Sequence, residues 1–366
     1  MKTVLIRADV SVQTGSGHLR RCLVLAQALK AKGCRIAFLC RARDFDWRAL
    51  AAGVDECMDL DWEVGAVEDA ARVVELYRQL RADAAVIDHY HADDAYQRRL
   101  LDGGIRWLQF DGFMRQNFWA DWILNANPNA DEKKYKALLK RPQTQLLLGT
   151  SFALLRQEYG ELQVNVTFRP KVQNILLTFG GGDDRGASVF CLEALKRVDP
   201  QIGRIVVLTK HNPHYEAIRA WSNHHPQINV RLCVDAPDVA KVMSEADLAV
   251  ISGGTTVFET AALGIPSLII AIAGNQEVNG PHWEQTGASL YLKRLDNLKA
   301  QTLHDSAMFL INDSQKRARM SETAKRLVDC RGASRVADIL KGTAPFKGFE
   351  KNPQTKGAVP FIKSYD

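Results

Sequence analysis

Gly15-Ser16-Gly17-His18-Leu19-Arg20-Arg21-Cys22, preceded by the apolar run Val4-Leu5-Ile6, stands close to the start of the chain. The apolar run suits a short buried strand, and the glycines permit a tight turn and close backbone approach. Residues 19–29 then carry apolar side chains at helical spacing, with strong helix formers up to Lys30 and Gly33 placed as the C-cap. A strand turning through glycines into a helix is the building unit of parallel α/β sheets. It puts Gly17 and His18 at a helix N-terminus, where free N–H groups and the helix dipole favour negative charge. A neutral imidazole there can accept a proton from water near pH 7. A glycine-rich turn with a helix-capping His18 accounts for the same residues without chemistry. This stretch therefore decides the fold and leaves the function open.

The same pattern returns twice. Residues 247–251, Asp-Leu-Ala-Val-Ile, read as a buried strand, followed by Ser252-Gly253-Gly254-Thr255-Thr256 and a helical stretch through Phe258, Glu259, Ala261 and Leu263 to Gly264. Small residues, hydroxyls and backbone N–H groups at a helix N-terminus suit phosphate. Glu259, one turn into that helix, is in reach of a ribose bound beside the phosphates. A lone acidic residue balancing the helix dipole is the competing explanation. The third cluster, Gly180-Gly181-Gly182-Asp183-Asp184, follows an apolar run at 174–179 and precedes a helical stretch at 187–196. One glycine-rich turn is weak; three in an alternating chain point to a nucleotide-binding α/β protein. None is a dinucleotide fingerprint, and the chain has no GxxxxGK[ST] P-loop.

A chain of 366 residues is too long for one typical domain and suits two. The hydrophobic share of 46% and charged share of 25% are those of a globular enzyme. No apolar run approaches the ~20 residues needed to span a bilayer, so no membrane insertion is expected. The N-terminus is charged too soon for a signal peptide. Seven cysteines without a CxxC pair imply reduced thiols and a cytoplasmic location. Cys34, Cys40, Cys191 and Cys233 are expected in the core. The net charge of +6 is spread among 42 acidic residues. No basic stripe interleaves with aromatics, which argues against a nucleic-acid partner; an anionic small substrate suits a mild positive excess better. Arg98-Arg99 and Lys133-Lys134 read as solvated helix faces.

Strands are predicted at residues 3–6, 34–39, 84–87, 105–110, 122–124 and 145–148, and again at 174–178, 204–208, 228–232, 248–251 and 267–270, with helices between, notably at 67–80 and 95–101. Repeated βαβ alternation predicts two doubly wound, Rossmann-like domains, at 1–160 and 174–342, joined by a linker at 161–173 that contains Gly160's neighbours and Pro170. Helical patterning fills 303–340. Residues 343–366, with Pro345, Pro353 and Pro360, read as an irregular tail. Ligands of open α/β sheets bind beyond the carboxyl ends of strands, so the three glycine turns are expected to converge on an interdomain cleft. No solenoid-length repeat is present.

Several of these segments together resemble a family. Arg7-Ala-Asp9 with Gly15-x-Gly17-His18-x-x-Arg21-Cys22 is similar to the opening of the UDP-2,4-diacetamido-2,4,6-trideoxy-β-L-altropyranose hydrolases of pseudaminic acid biosynthesis. Val86-Ile-Asp88-His89-Tyr90 resembles the family's Asp-x-Tyr after a strand. Gly149-Thr-Ser-Phe-Ala-Leu-Leu-Arg156 resembles its Gly…Tyr-x-x-Leu-Arg segment, with Phe152 where tyrosine is common. Phe179-Gly-Gly-Gly-Asp183 resembles its second-domain glycine loop. Ala246-Asp-Leu-Ala-Val-Ile-Ser-Gly-Gly-Thr-Thr-Val-Phe-Glu259 resembles its uridine-diphosphate site, with Phe258 where the family often has Trp, and Asn275-Gln276 matches its Asn-Gln pair. The resemblance covers residues 1–290.

It implies a GT-B arrangement of the two domains and hydrolysis of a UDP-sugar, with inversion, between the anomeric carbon and UDP. Ser252, Gly253, Gly254, Thr255 and Thr256 would then hold the diphosphate, Glu259 the ribose, and Gly181 and Gly17 line the substrate. His18 would take the proton of water. Tyr90 would hold the sugar near that water, with Asn275 and Gln276 bonding its substituents. Asp88 would orient the tyrosine or the water, although a strand-end Asp is as often a structural cap. No cofactor is implied, and no metal: Asp88-His89-Tyr90-His91 lacks further ligands at suitable spacing, and His224-His225 falls in a polar connection. Two carboxylates placed as in a glycosidase are not evident. Two rivals remain. A GT-B glycosyltransferase would pass the sugar to another acceptor; one acting on a lipid acceptor usually needs an apolar face, and none is obvious, since Phe110, Phe113, Met114, Phe118 and Trp119, which could form it, read mostly as core. A non-catalytic nucleotide-sugar binding protein would need no His18. Oligomeric state does not follow from the sequence.

Overall fold

The computed structural model describes residues 1–10, 17–41, 47–51, 53–60 and 63–343. Gly15 and Ser16 lie outside them, as do the expected tail residues from 344 on.

The first half lays down β1 (Thr3–Asp9), α1 (Gly17–Ala31), β2 (Arg35–Arg41), β3 (Glu56–Asp59), α2 (Val67–Gln79), β4 (Ala84–Asp88), α3 (Asp94–Asp102), β5 (Trp107–Phe110), β6 (Trp122–Asn125), α4 (Glu132–Leu138) and β7 (Gln145–Leu148). Every strand pair is parallel, in the order β3-β2-β1-β4-β5-β6-β7. Strand order reverses between β1 and β4, which pair from Val4↔Ala84 to Ala8↔Asp88. Such a reversal leaves a crevice beyond the strand ends, where open α/β sheets bind ligands.

Alternate residues of β1 point to opposite faces. Val4, Ile6 and Ala8 join the apolar cluster of α1. Leu5 joins the cluster of Val73 and Leu76 from α2 with Tyr96 and Leu100 from α3. Arg7 shares the face of Leu5 and is fully buried. Its Nε and Nη2 bond the two carboxylate oxygens of Asp69 on α2 at 2.9 and 3.0 Å, a two-pronged pair that satisfies a charge burial would otherwise penalise.

The second half repeats the design with α5 (Gln157–Gln163), β8 (Asn174–Thr178), α6 (Ala187–Ala194), β9 (Gly203–Leu208), α7 (Tyr215–His224), β10 (Val230–Val234), α8 (Val239–Ser244), β11 (Leu248–Ser252), α9 (Thr256–Ala262), β12 (Ser267–Ala271), α10 (Gly274–Gln285), β13 (Ser289–Arg294), α11 (Ala300–Asn312) and α12 (Ser314–Leu327), ending in α13 (Gly332–Lys341). Its parallel sheet runs β10-β9-β8-β11-β12-β13, with the reversal between β8 and β11. Both domains are therefore doubly wound, as expected. The single helical stretch expected at 303–340 is three helices: Asp313 ends α11 and caps α12, its carboxylate accepting from Lys316 N at 2.8 Å.

The compact units differ from the expected boundaries. One comprises Met1–Arg156 and the described residues from Cys330 on; the other begins at Gln157 and runs to Asp329. Residues 161–173 form no separate linker. Gln163 Nε2 donates to Ala262 O and Val328 O at 2.8 and 2.7 Å, and Arg317 of α12 donates to Pro170 O, which ties this segment to the second unit. Helix α13 belongs to the first unit because Val336, Ala337 and Leu340 pack into the cluster containing Leu25 and Leu29 of α1.

No described helix is long and apolar enough to cross a membrane. Cys34, Cys40 and Cys191 are buried as expected, whereas Cys233 is only half-buried. Arg98, Arg99, Lys133 and Lys134 are exposed on α3 and α4.

Candidate functional site

In the first unit the start of α1 and the end of β4, beside the reversal between β1 and β4, bring three of the expected residues together. Helix α1 begins at Gly17, so His18 occupies its first turn, buried at 7% exposure. Asp88 closes β4 with 1% exposure. His18 Nδ1 lies 2.6 Å from Asp88 Oδ1. Arg21, one helical turn after His18, donates from Nε to Asp88 Oδ2 at 2.5 Å and from Nη2 to Oδ1. Cys22 Sγ adds a weak donation to Oδ2 at 3.4 Å. Burial raises the Asp88 pKa, but Arg21 and then His18 outweigh it and hold the carboxyl well below its usual range. Burial, then Asp88 itself, pushes the Cys22 thiol well above its usual value, so it stays protonated.

The shorter of the two Nδ1 contacts, 2.6 Å to Asp88 against 3.1 Å to Arg21 Nη2, assigns the histidine tautomer. An ionised carboxylate only accepts, and a guanidinium only donates. Nδ1 of His18 therefore carries the proton and donates to Asp88, which leaves the lone pair of the neutral ring on Nε2. Tyr90 is half-exposed, and its ring meets the imidazole edge-on at 4.6 Å between centroids. Phe113, after β5, continues the row at 5.7 Å from Tyr90. The apolar face considered for a lipid acceptor is not continuous: Phe110 and Phe118 are core residues, and Phe113, Met114 and Trp119 are half-buried.

Immediately after Asp88, His89 faces the other way. It is buried against Tyr96, at 4.8 Å between rings. Its Nδ1 accepts from His91 N at 3.2 Å, and its Nε2 has no hydrogen-bond partner. Burial, reinforced by the Arg7 charge, lowers its pKa to about 3. It is a neutral core histidine.

In the second unit Ser252 ends β11, and Gly253, Gly254 and Thr255 lead into α9. Ser252, Gly253 and Thr256 are buried, Gly254 is half-buried and Thr255 is exposed. No side chain caps the start of α9; Val257 N and Phe258 N donate back to Gly254 O and Thr255 O at 3.4 and 3.0 Å, in a loop at the second reversal. Glycine gives the closest fit at 253: a Cβ there would lie 3.1 Å from Gln276 Cβ and 3.2 Å from Gln276 O, and Gln276 would have to shift slightly to admit it. The structure thus brings Gln276 against the Ser252–Thr256 loop. Gln276 Oε1 accepts from Ile272 N at 3.0 Å, so the oxygen is engaged in holding the β12–α10 turn. Asn275 is exposed in the first turn of α10, and Glu259 is half-buried one turn into α9. Gly181, after β8, is exposed; its carbonyl accepts from Thr209 Oγ1 at 3.1 Å, and Gly180 before it has φ +95°. Asp183, Asp184 and His214 approach one another within 4.8 Å. Both carboxylates serve the turn itself: Asp183 accepts from Arg185 N, and Asp184 from Gly186 N and Ser188 N.

Arg21 is the residue whose part the sequence reading did not assign. The signal was present: a cation three positions after His18 shares its helix face. His224 and His225 are surface residues of the α7 terminus, His225 stacked on Trp221 at 4.1 Å.

Residues 188–340 match the glycosyltransferase family 28 C-terminal domain. The chain is 27% identical over 277 residues to the UDP-2,4-diacetamido-2,4,6-trideoxy-beta-L-altropyranose hydrolase of Campylobacter jejuni subsp. jejuni serotype O:2, covering 75% of this chain and 93% of that protein. The family resemblance read from the motifs is therefore present along most of the chain. A UDP-N-acetylglucosamine--N-acetylmuramyl-(pentapeptide) pyrophosphoryl-undecaprenol N-acetylglucosamine transferase of Acetivibrio thermocellus is 29% identical over 180 residues, covering 47% of this chain and 48% of the transferase. Among solved structures, MurG of Acinetobacter baumannii superposes with a TM-score of 0.68 at 19% identity, over 93% of this chain and all of that one. The fold is that of the GT-B class.

Proposed function

We propose that the chain hydrolyses a UDP-sugar, and that the substrate is UDP-2,4-diacetamido-2,4,6-trideoxy-β-L-altropyranose. The observation that carries this reading is the His18–Asp88 pair. In the neutral tautomer that donates its Nδ1 proton to this carboxylate, Nε2 carries the lone pair that would accept a proton. Water attacks the anomeric carbon while Nε2 takes one of its protons. The bond from that carbon to the β-phosphate oxygen breaks, and its electron pair leaves with UDP. One direct displacement inverts the centre. UDP is a good leaving group, so the second unit needs to stabilise its developing charge. The uncapped N–H groups and hydroxyls of Ser252, Gly253, Gly254, Thr255 and Thr256 supply donors for that, with Glu259 for the ribose and Gly181 at the neighbouring strand end. Tyr90 and Gly17 flank the sugar, with Asn275 and the Gln276 amide nitrogen to bond its substituents. The relative that covers most of this chain bears the name of such a hydrolase.

Transfer to an acceptor is the second reading, and the family 28 match at residues 188–340 favours it. Turnover in ¹⁸O-labelled water separates the two. Hydrolysis yields unlabelled UDP and a sugar with one ¹⁸O at its anomeric carbon. A transferase releases UDP only when an acceptor is added. His18→Ala is expected to lower kcat about 10²- to 10⁴-fold with UDP affinity retained. Undiminished turnover in that variant would overturn the assignment of the base.

A further inference from the structure

The geometry points to Arg21 as a positioning residue that keeps His18 neutral and ready to accept a proton by neutralising the carboxylate that orients it. The inference rests on the proposed hydrolytic role of His18 and deepens it.

An unscreened Asp beside an imidazole does two things at once. It accepts the Nδ1 proton and so fixes the ring, and its charge also favours the doubly protonated ring. The second effect defeats a general base, because an imidazolium has no lone pair to offer. Asp88 avoids it. Arg21 engages both carboxylate oxygens, through Nε and Nη2, and the same Nη2 lies 3.1 Å from His18 Nδ1. The guanidinium nitrogen thus lies 3.1 Å from Nδ1 where the carboxylate oxygen lies 2.6 Å from it, so both charges act on the ring at close range. The acceptor role of Oδ1 survives, and the net charge felt by the imidazole falls toward zero.

Arg21 is itself held in place. It lies over the Phe110 ring, 4.6 Å from the centroid, and only 29% of its side chain is exposed. The position three residues after His18 on one helix makes the spacing a property of α1 rather than of a loop. The other groups facing the imidazole carry little charge. Tyr90 presents a ring edge, Cys22 is a protonated thiol on Asp88 Oδ2, and His89 is neutral. Beyond His89, Arg7 and Asp69 pair with each other. Among the described residues, Asp88 and Arg21 are thus the charged groups in contact with the ring.

The test compares wild type, Arg21→Gln and Arg21→Lys by two readouts: the pH profile of kcat/KM and the NMR titration of the His18 ring. Folding is checked by the urea unfolding midpoint and by the dispersion of amide signals from β1 and β4. In Arg21→Gln the acid limb of the profile and the ring titration both move up by about one pH unit or more, and activity recovers toward wild type on the alkaline side. Arg21→Lys keeps the charge and leaves the limb within a few tenths of a unit of wild type. A Gln variant whose kcat falls evenly at every pH, with the ring titration unmoved, reduces Arg21 to a structural residue and overturns the proposal. If the Gln variant does not fold, Lys decides with the same readouts, and a limb displaced by a full unit overturns it. If wild type turns over no UDP-sugar, the hydrolase reading fails. The ring titration alone then supports or overturns the role of Arg21.

Discussion

His18 and His89 lie on either side of Asp88, one bonded to it and one next to it in sequence, and have opposite fates. His18 opens α1 and is paired to Asp88, while His89 turns into the core with an unpartnered Nε2. That burial has a pH signature. The folded-state pKa of His89, lowered to about 3, lies below the unfolded value of about 6.5. Between these values the unfolded chain binds the extra proton, so stability is complete above pH 6.5 and falls as pH drops toward 3, by up to about 1.4 kcal/mol per unit. Urea unfolding at pH 7 and pH 5 checks this. Wild type is expected to lose about 2 kcal/mol more than His89→Gln over that interval. Equal losses would show that the imidazole titrates normally in the folded state. Asp88 adds a second acid-labile term: its depressed pKa gives stability that is present above the usual carboxylate range and lost only below it.

Helix α13 shows how one element is fastened by the absence of a side chain. A Cβ on Gly332 would lie 2.1 Å from Ala153 O and 2.6 Å from Phe152 C, both backbone atoms that cannot swing aside. Arg335 of the same helix donates to Ser151 O at 2.8 Å. Gly332→Ala is expected to cost about 3 kcal/mol, the upper end for overpacking, read as a lower urea midpoint with an unchanged slope. A neutral substitution there would mean that α13 is seated differently. Most elements were legible from period and punctuation. Strands β8 and β7 fall at their expected residues, and α2 and α3 lie within one residue of expectation at each end. The misses were the edge strands β3 and β13. Glu56-Cys-Met-Asp59 is half-buried and mixed in polarity, and β13 follows a helix containing Pro281, so neither carries the apolar run that marks a central strand. In the candidate site, His18, Asp88 and Tyr90 were legible because glycines and a strand end flag them. The bond between His18 and Asp88 was not, because it spans 70 residues and depends on β1 pairing with β4. The allegiance of α13 was hidden for a similar reason: an amphipathic stripe says that a face will be covered, not by which sheet's helices.

At the scale of the molecule, two doubly wound sheets carry two different chemistries at equivalent places. The first sheet sets the proposed base, His18, and the carboxylate it contacts at its reversal, and the second sets a glycine- and hydroxyl-rich loop at its own. If the second unit alone holds the nucleotide, UDP at one hundred times its Kd stabilises that unit by about 2.7 kcal/mol. Hydrogen exchange is expected to show this as slower opening of amides in β8 and β11, with amides of β1 and β4 unchanged. Protection centred on β1 and β4 instead would place the nucleotide in the first unit.

The return of α13 to the first unit also has a consequence for how the protein is made. The strands and helices of that unit emerge first from the ribosome, yet the apolar face of α1 that bears Leu25 and Leu29 waits for Val336 and Leu340. At about 5–20 residues per second, roughly ten to thirty seconds of synthesis separate Arg156 from Cys330. Throughout that interval the helix holding His18 and Arg21 presents an uncovered apolar surface to water or to a chaperone. The half of the protein translated first is the half that matures last, and the second unit completes its own sheet while the first is still open.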